Sequence, residues 1–209
     1  MSSSLQVLMD MFQQDSVLLD DGVSVGHEDE PEDGKRTQSY DEVVKDMIVD
    51  EKQYLRDLHM ITKVFKEIIQ KGIGSSSSGS EIDVIFSNIP DITELTVTLT
   101  SSIEDALEMT EEGNVPIIGP CFEELAEAEE FDVYDKYAKD ILSPKSRQTL
   151  EALLPKQIVS EALRSCGKGF REAVKFYLPK LLLGPIYHCF QYFNYIEVSW
   201  KKHVVSVSS

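Results

Sequence analysis

The sequence predicts an all-α fold, an elongated bundle of long helices preceded by an acidic linker, on three observations. Apolar residues recur at steps of three and four through most of the chain from residue 40 to 193, the spacing of a helix with one buried face. A Ser39-Tyr40-Asp41-Glu42 capping box opens the first of these ladders. No segment there alternates apolar and polar residues as a half-buried strand does, and no internal repeat is visible. Apolar residues make up 42% of the 209, enough to bury a core.

Residues 1–38 read as an acidic interdomain linker. The first 33 residues hold nine acids and no Lys or Arg, and Glu28 to Gly34 repels itself. Within it, Leu5, Leu8, Met9 and Phe12 share one helical face, and a docking contact is the alternative to a solvated linker. The first long helix follows, with Val44, Met47, Ile48, Tyr54, Leu58, Ile61, Phe65 and Ile68 on its apolar side. Gly72-Ile73-Gly74 should stop it, and Ser75 to Gly79 is a low-complexity loop.

A second ladder runs Ile85, Ile89, Ile92, Leu95, Leu99, Ile103, Leu107. Pro90 must kink it or end its first turns, because a proline inside a helix costs about 3 kcal/mol. Three shorter helices are expected over 121–128, 134–142 and 146–153, then a long one over 158–178. Leu181 to Pro185 is read as a turn and Ile186 to Phe193 as the start of a further helix. Residues 39–193 thus form the helical domain, an incomplete one on this reading. Residues 194–209, rich in Val and Ser, are expected to be an atypical, non-helical tail.

With 37 acids against 20 bases the net charge is −17, which argues against nucleic acid as a partner. The charge is lopsided, since residues 104–140 carry thirteen acids and two bases, while 141–209 carry ten bases and four acids. No secretory leader is visible in the first residues, and the longest uncharged apolar stretch, 181–196, is interrupted by Gly184-Pro185 and polar side chains. Three Cys suit reduced thiols, so a cytoplasmic location is expected, with membrane contact only through recruitment of a longer protein.

Covalent chemistry finds little support. Gly167-Lys168-Gly169 follows no strand and reads as close helix packing rather than a phosphate loop. The four His and three Cys show no metal-ligand spacing, and the acids Glu123 to Glu130 read as a solvated helix face. No catalytic residue, cofactor or metal is expected. Glu51 alone breaks its pattern, standing on the apolar stripe of the first helix. A buried, unpaired carboxylate there would cost several kcal/mol. The stripe is therefore open to solvent at that point, or rotated so that Glu51 sits at its edge, or turned toward a partner.

Three blocks in order carry a family resemblance. Glu51-Lys52-Gln53-Tyr54-Leu55-Arg56-Asp57-Leu58 resembles the E-x-x-Y-x-x-x-L of the first signature block of Dbl-homology domains, the exchange modules for Rho GTPases. Ile85-Phe86-Ser87-Asn88-Ile89-Pro90-Asp91-Ile92 resembles their second block. Leu181-Leu182-Leu183-Gly184-Pro185-Ile186-Tyr187-His188 occupies the third, where a Lys-Pro-Val-Gln-Arg type of motif is usual. Glu108-Met109-Thr110, Cys121 to Glu127 and Leu178 to Cys189 are similar to the Dbl-homology part of a large multidomain Ras exchange factor.

The resemblance implies a helical bundle that grips the two switch segments of a small GTPase and releases its nucleotide without a covalent step. It implies GTPase contacts from Glu51, Tyr54, His188 and Gln191, with Glu51 on the first switch. Gly184 and Gln191 depart from the family pattern, which has a base at each. A neutral amide forgoes a charge-assisted hydrogen bond of ~1.5–3 kcal/mol. The expected function is guanine-nucleotide exchange on a Rho-family GTPase within a Ras-signalling protein, the isolated piece being inactive. The alternative is a non-catalytic domain that autoinhibits Ras exchange by covering the Ras-binding face.

Overall fold

The structure is a computed structural model, which describes residues 39–73, 79–111, 114–167 and 169–207, with side chains up to Val198. The linker and the docking face of Leu5 to Phe12 lie outside the described residues. Every regular element among the described residues is helical.

Helix α1 spans Tyr40–His59 and begins as its sequence dictates. Ser39 Oγ accepts the Glu42 amide at 3.3 Å and Glu42 Oε2 accepts the Ser39 amide at 2.7 Å, which satisfies two of the N-terminal donors. The rod continues through a π-helical stretch, Met60–Lys66, into α2, Glu67–Ile73. The wider π turn advances the buried face by one residue, so that Ile69 rather than Ile68 is buried. The rod carries on through Gly72, whose role is contact. A Cβ there would stand 2.7 Å from the Ala162 Cβ, so glycine is what lets α2 approach the neighbouring helix.

The second ladder forms two helices. Helix α3, Gly79–Phe86, ends at Ser87 (φ 45°), and α4, Ile89–Glu108, starts with Pro90 in its first turn, where no amide is needed. The threonines of α4 fold their hydroxyls onto the carbonyls four residues back, Thr96 on Ile92 at 2.8 Å and Thr100 on Thr96 at 2.7 Å. The short helices α5 (Gly119–Glu127), α6 (Val133–Ile141) and α7 (Pro144–Leu153) sit within a residue or two of expectation, and Ser143 caps α7.

The last third differs from expectation in three places. The long helix expected over 158–178 breaks. Helix α8 is Gln157–Ser165, and beyond it Gly167 (φ 115°) and Gly169 (φ 93°) occupy a region of backbone space that side chains avoid. No atom lies within 4 Å of a Cβ built at either glycine, so the pair is a break and not a packing contact. The expected turn at Gly184-Pro185 is absent. After α9 (Phe170–Glu172) and a π stretch (Ala173–Tyr177), helix α10 runs Leu178–Val207 with Pro185 inside it. The tail expected to be non-helical is therefore helix to Val207. Once a turn is held by packing, each added residue costs only the small propensity deficit of Val or Ser.

Helix α1 packs along α4 on one side and α10 on the other, and α6 supports α10. The core runs between them through Val44, Met47, Leu58, Ile61, Ile92, Leu99 and Ile186. Tyr137 of α6 donates to the Leu182 carbonyl at 2.8 Å, close to where Pro185 leaves the α10 ladder one amide short.

Candidate functional site

Glu51 is where the apolar stripe of α1 is interrupted, and its side chain turns inward. It is 0% exposed. Its environment is neither open water nor the stripe's edge, as the sequence suggested, but the facing helix α10. His188 Nε2 lies 2.7 Å from Glu51 Oε1, and the Tyr192 hydroxyl donates to Oε2 at 3.1 Å. With the carboxylate ionised, the oxygen can only accept and the imidazole Nε2 is the donor of this contact. Both oxygens have a partner, which is the condition for burying them.

The partners are themselves held. The His188 ring stacks on Tyr54 with centroids 3.7 Å apart and meets Tyr192 edge-on at 5.1 Å. Tyr54 pairs its hydroxyl with that of Tyr134 at 3.3 Å. Tyr192 is wedged edge-on against Phe122, Phe131 and Tyr134. One turn further along α10, Tyr195 donates a hydrogen bond to Asp50.

Burial pushes the Tyr54, Tyr134 and Tyr192 phenols above their ordinary range. At Tyr54 the neighbouring Tyr134 adds to the rise, and at Tyr192 both Tyr134 and the Glu51 carboxylate add to it. Burial raises the Cys189 thiol to about 12, so it stays protonated and is no nucleophile.

Beside this cluster a groove of about 320 Å³ opens between α1 and α10. Asp50, Gln53, Tyr54 and Asp57 line it from α1, while Lys180, Gly184, Tyr187, His188 and Gln191 line it from α10. Gly184 contributes no side chain, and nothing lies within 4 Å of where its Cβ would be.

Glu51, Tyr54, His188 and Gln191, far apart in sequence, are thus brought to one place. Three are buried together, and Gln191 is exposed on the groove. Tyr192, Tyr134 and the Tyr195–Asp50 contact were not singled out by sequence. Tyr192 had a signal: it stands four residues after His188 on the same helix face, and a carboxylate on an apolar stripe needs more than one donor.

The RhoGEF domain family matches residues 43–202, most of the chain and past the boundary expected at 193. The chain belongs to the RhoGEF domain family.

As a RhoGEF domain it is 50% identical over 205 residues to the protein son of sevenless of Drosophila melanogaster, covering 98% of this chain and 12% of that protein. It is 28% identical over 190 residues to a son of sevenless homolog of Caenorhabditis elegans, covering 82% of this chain and 12% of the relative. The chain therefore spans about an eighth of the length of these curated relatives. A solved structure of the Vav1 exchange factor, bearing on the structural role of its PH and C1 domains, superposes with a TM-score of 0.59 at 18% identity. It covers 77% of this chain and 41% of that one. At that identity the likeness speaks for the fold, a RhoGEF helical bundle. Among the described residues no helix is long and apolar enough to cross a membrane.

Proposed function

We propose that this RhoGEF domain promotes nucleotide release from a Rho-family small GTPase, which docks on the groove between α1 and α10. The observation that carries the reading is the convergence of Tyr54, His188 and Gln191 on that groove, with Glu51 buried directly behind His188, in a chain that the RhoGEF family matches over residues 43–202. Glu51 meets the first switch of the GTPase, Tyr54 and His188 frame it, and Gln191 offers a neutral amide at the rim.

Exchange needs no bond made or broken in the chain. If the domain binds the nucleotide-free GTPase more tightly than the loaded form, it must weaken nucleotide binding by the same factor. Helix α10 runs on to Val207, so the chain carries the last helix whose absence was the ground for expecting an inactive piece. Rho-family GTPases loaded with a fluorescent guanine nucleotide are therefore mixed with the 209-residue chain and release is timed. Acceleration supports the reading, and no acceleration with any of them overturns it. Affinity for the nucleotide-free GTPase should exceed that for the loaded one by the factor through which the domain weakens nucleotide.

A second reading is favoured by Gly184 and Gln191, which remove two positive side chains from the groove. Here the domain is a regulatory element of a longer cytoplasmic protein that acts on Ras, and it restrains exchange by covering the Ras-binding face. Deletion of residues 39–207 from the longer protein should then raise basal Ras exchange, and an unchanged rate would exclude this role.

A further inference from the structure

The groove and the carboxylate proposed to use it are separated by one side chain. His188 lines the groove and contacts Glu51, whereas Glu51 is fully buried and lines no part of the groove. Three polar contacts tie the same short stretch of α1 to α10: His188 and Tyr192 on Glu51, and Tyr195 on Asp50. The rings behind them leave little slack, since His188 is stacked on Tyr54 and Tyr192 is wedged among aromatic side chains.

We propose, resting on the reading of Glu51 as a GTPase contact, that His188 and Tyr192 form an internal latch. They hold the carboxylate inside the bundle, and a GTPase gains it only when the latch opens. The groove side chains Gln53, Asp57, Tyr187 and Gln191 meet the partner first. Glu51 follows when its carboxylate exchanges the imidazole and phenol for donors on the GTPase. A closed latch lowers the apparent affinity by the fraction of molecules that are open, so the latch sets the strength of engagement through the availability of Glu51. His188 and Tyr192 are positioning residues acting through Glu51.

The test uses the 209-residue chain and nucleotide-free Rho-family GTPases. His188→Phe keeps a ring against Tyr54 and removes the donor. Tyr192→Phe removes one hydroxyl and nothing else. Two quantities are read: affinity for the GTPase, and amide hydrogen exchange over residues 47–55 and 184–195, which reports opening without any GTPase. The latch predicts faster amide exchange in both variants, with affinity raised about ten-fold by His188→Phe and about three-fold by Tyr192→Phe. Adding Glu51→Gln to either should abolish the gain.

Faster amide exchange with affinity equal to or below the parent's overturns the latch and leaves the exchange reading standing. A gain that survives Glu51→Gln also overturns it. Unchanged amide exchange shows that there is no latch to open. Faster amide exchange with no binding by any chain, the parent included, overturns the GTPase reading of Glu51 and the latch with it. Should His188→Phe fail to fold, Tyr192→Phe decides by the same criteria.

Discussion

A carboxylate at the centre of a helix bundle is tolerated only in company, and Glu51 illustrates the terms. Two partners from α10, the Tyr192 phenol and an imidazole itself stacked on Tyr54, offset its loss of water. Replacing it alone by Ala leaves His188 and Tyr192 facing a void, with a loss of ~3 kcal/mol expected in urea unfolding. Glu51→Leu combined with His188→Leu and Tyr192→Phe removes the whole polar set and should cost clearly less than the single change. A triple variant weaker than Glu51→Ala would show that the cluster is more than a satisfied buried polar group. The anomaly of Glu51 was visible in the sequence, because a charge interrupted an apolar stripe. Its resolution was not, since the two donors lie 137 and 141 positions away on a helix whose facing direction no local pattern reveals.

At the scale of single elements, three glycines have three different roles, and substitution separates them. Gly184 sits mid-helix with open space around it, so Gly184→Ala should stabilise by ~1 kcal/mol through helix propensity alone. Gly72 is also helical, yet its Cβ would collide with Ala162. Gly72→Ala should therefore destabilise by ~1–3 kcal/mol despite the same propensity gain, with partial rescue by Ala162→Gly. Gly167 has space but a φ of 115°, so Gly167→Ala is strained whatever surrounds it. Thermal melts of the three single variants rank them, and Gly184→Ala melting below the parent would contradict the assignment. Sequence made α1, α4, α5, α6 and α7 legible, since caps, prolines at first turns and apolar periods agreed. It misread α8 to α10, where Gly and Pro are ambiguous. Gly167 and Gly169, at positive φ, stand where the helix breaks, while Gly184-Pro185 is carried through it.

For the molecule as a whole, buried phenols set an alkaline limit. Burial raises Tyr54, Tyr134, Tyr137 and Tyr192 above the ordinary value near ~10, so the folded state holds protons that the unfolded chain gives up. Their contribution is whole below pH ~10 and is lost as pH rises from there toward the folded values. The melting temperature should fall steeply above pH ~10, and Tyr137→Phe should blunt the fall. A flat profile to pH ~11 would show that these phenols ionise as freely in the fold as outside it. The net charge of −17 belongs to this scale too, but it does not describe the groove, where Asp50, Asp57 and Lys180 stand on opposite walls.

The all-helical class and most helix boundaries were readable from the chain alone, because caps and apolar periods act over a few residues. So were three ordered blocks that resemble RhoGEF signatures, with departures from the family pattern at Gly184 and Gln191. The sequence also marked Glu51 as the residue that interrupts the apolar stripe of α1, with an open stripe, a rotated stripe and a partner as the three readings. That α10 continues through Pro185 to Val207, that Glu51 turns inward to His188 and Tyr192, and that the groove opens beside it became visible in the packed bundle. Those outcomes depend on which face of α10 meets α1, and packing between distant segments selects that face.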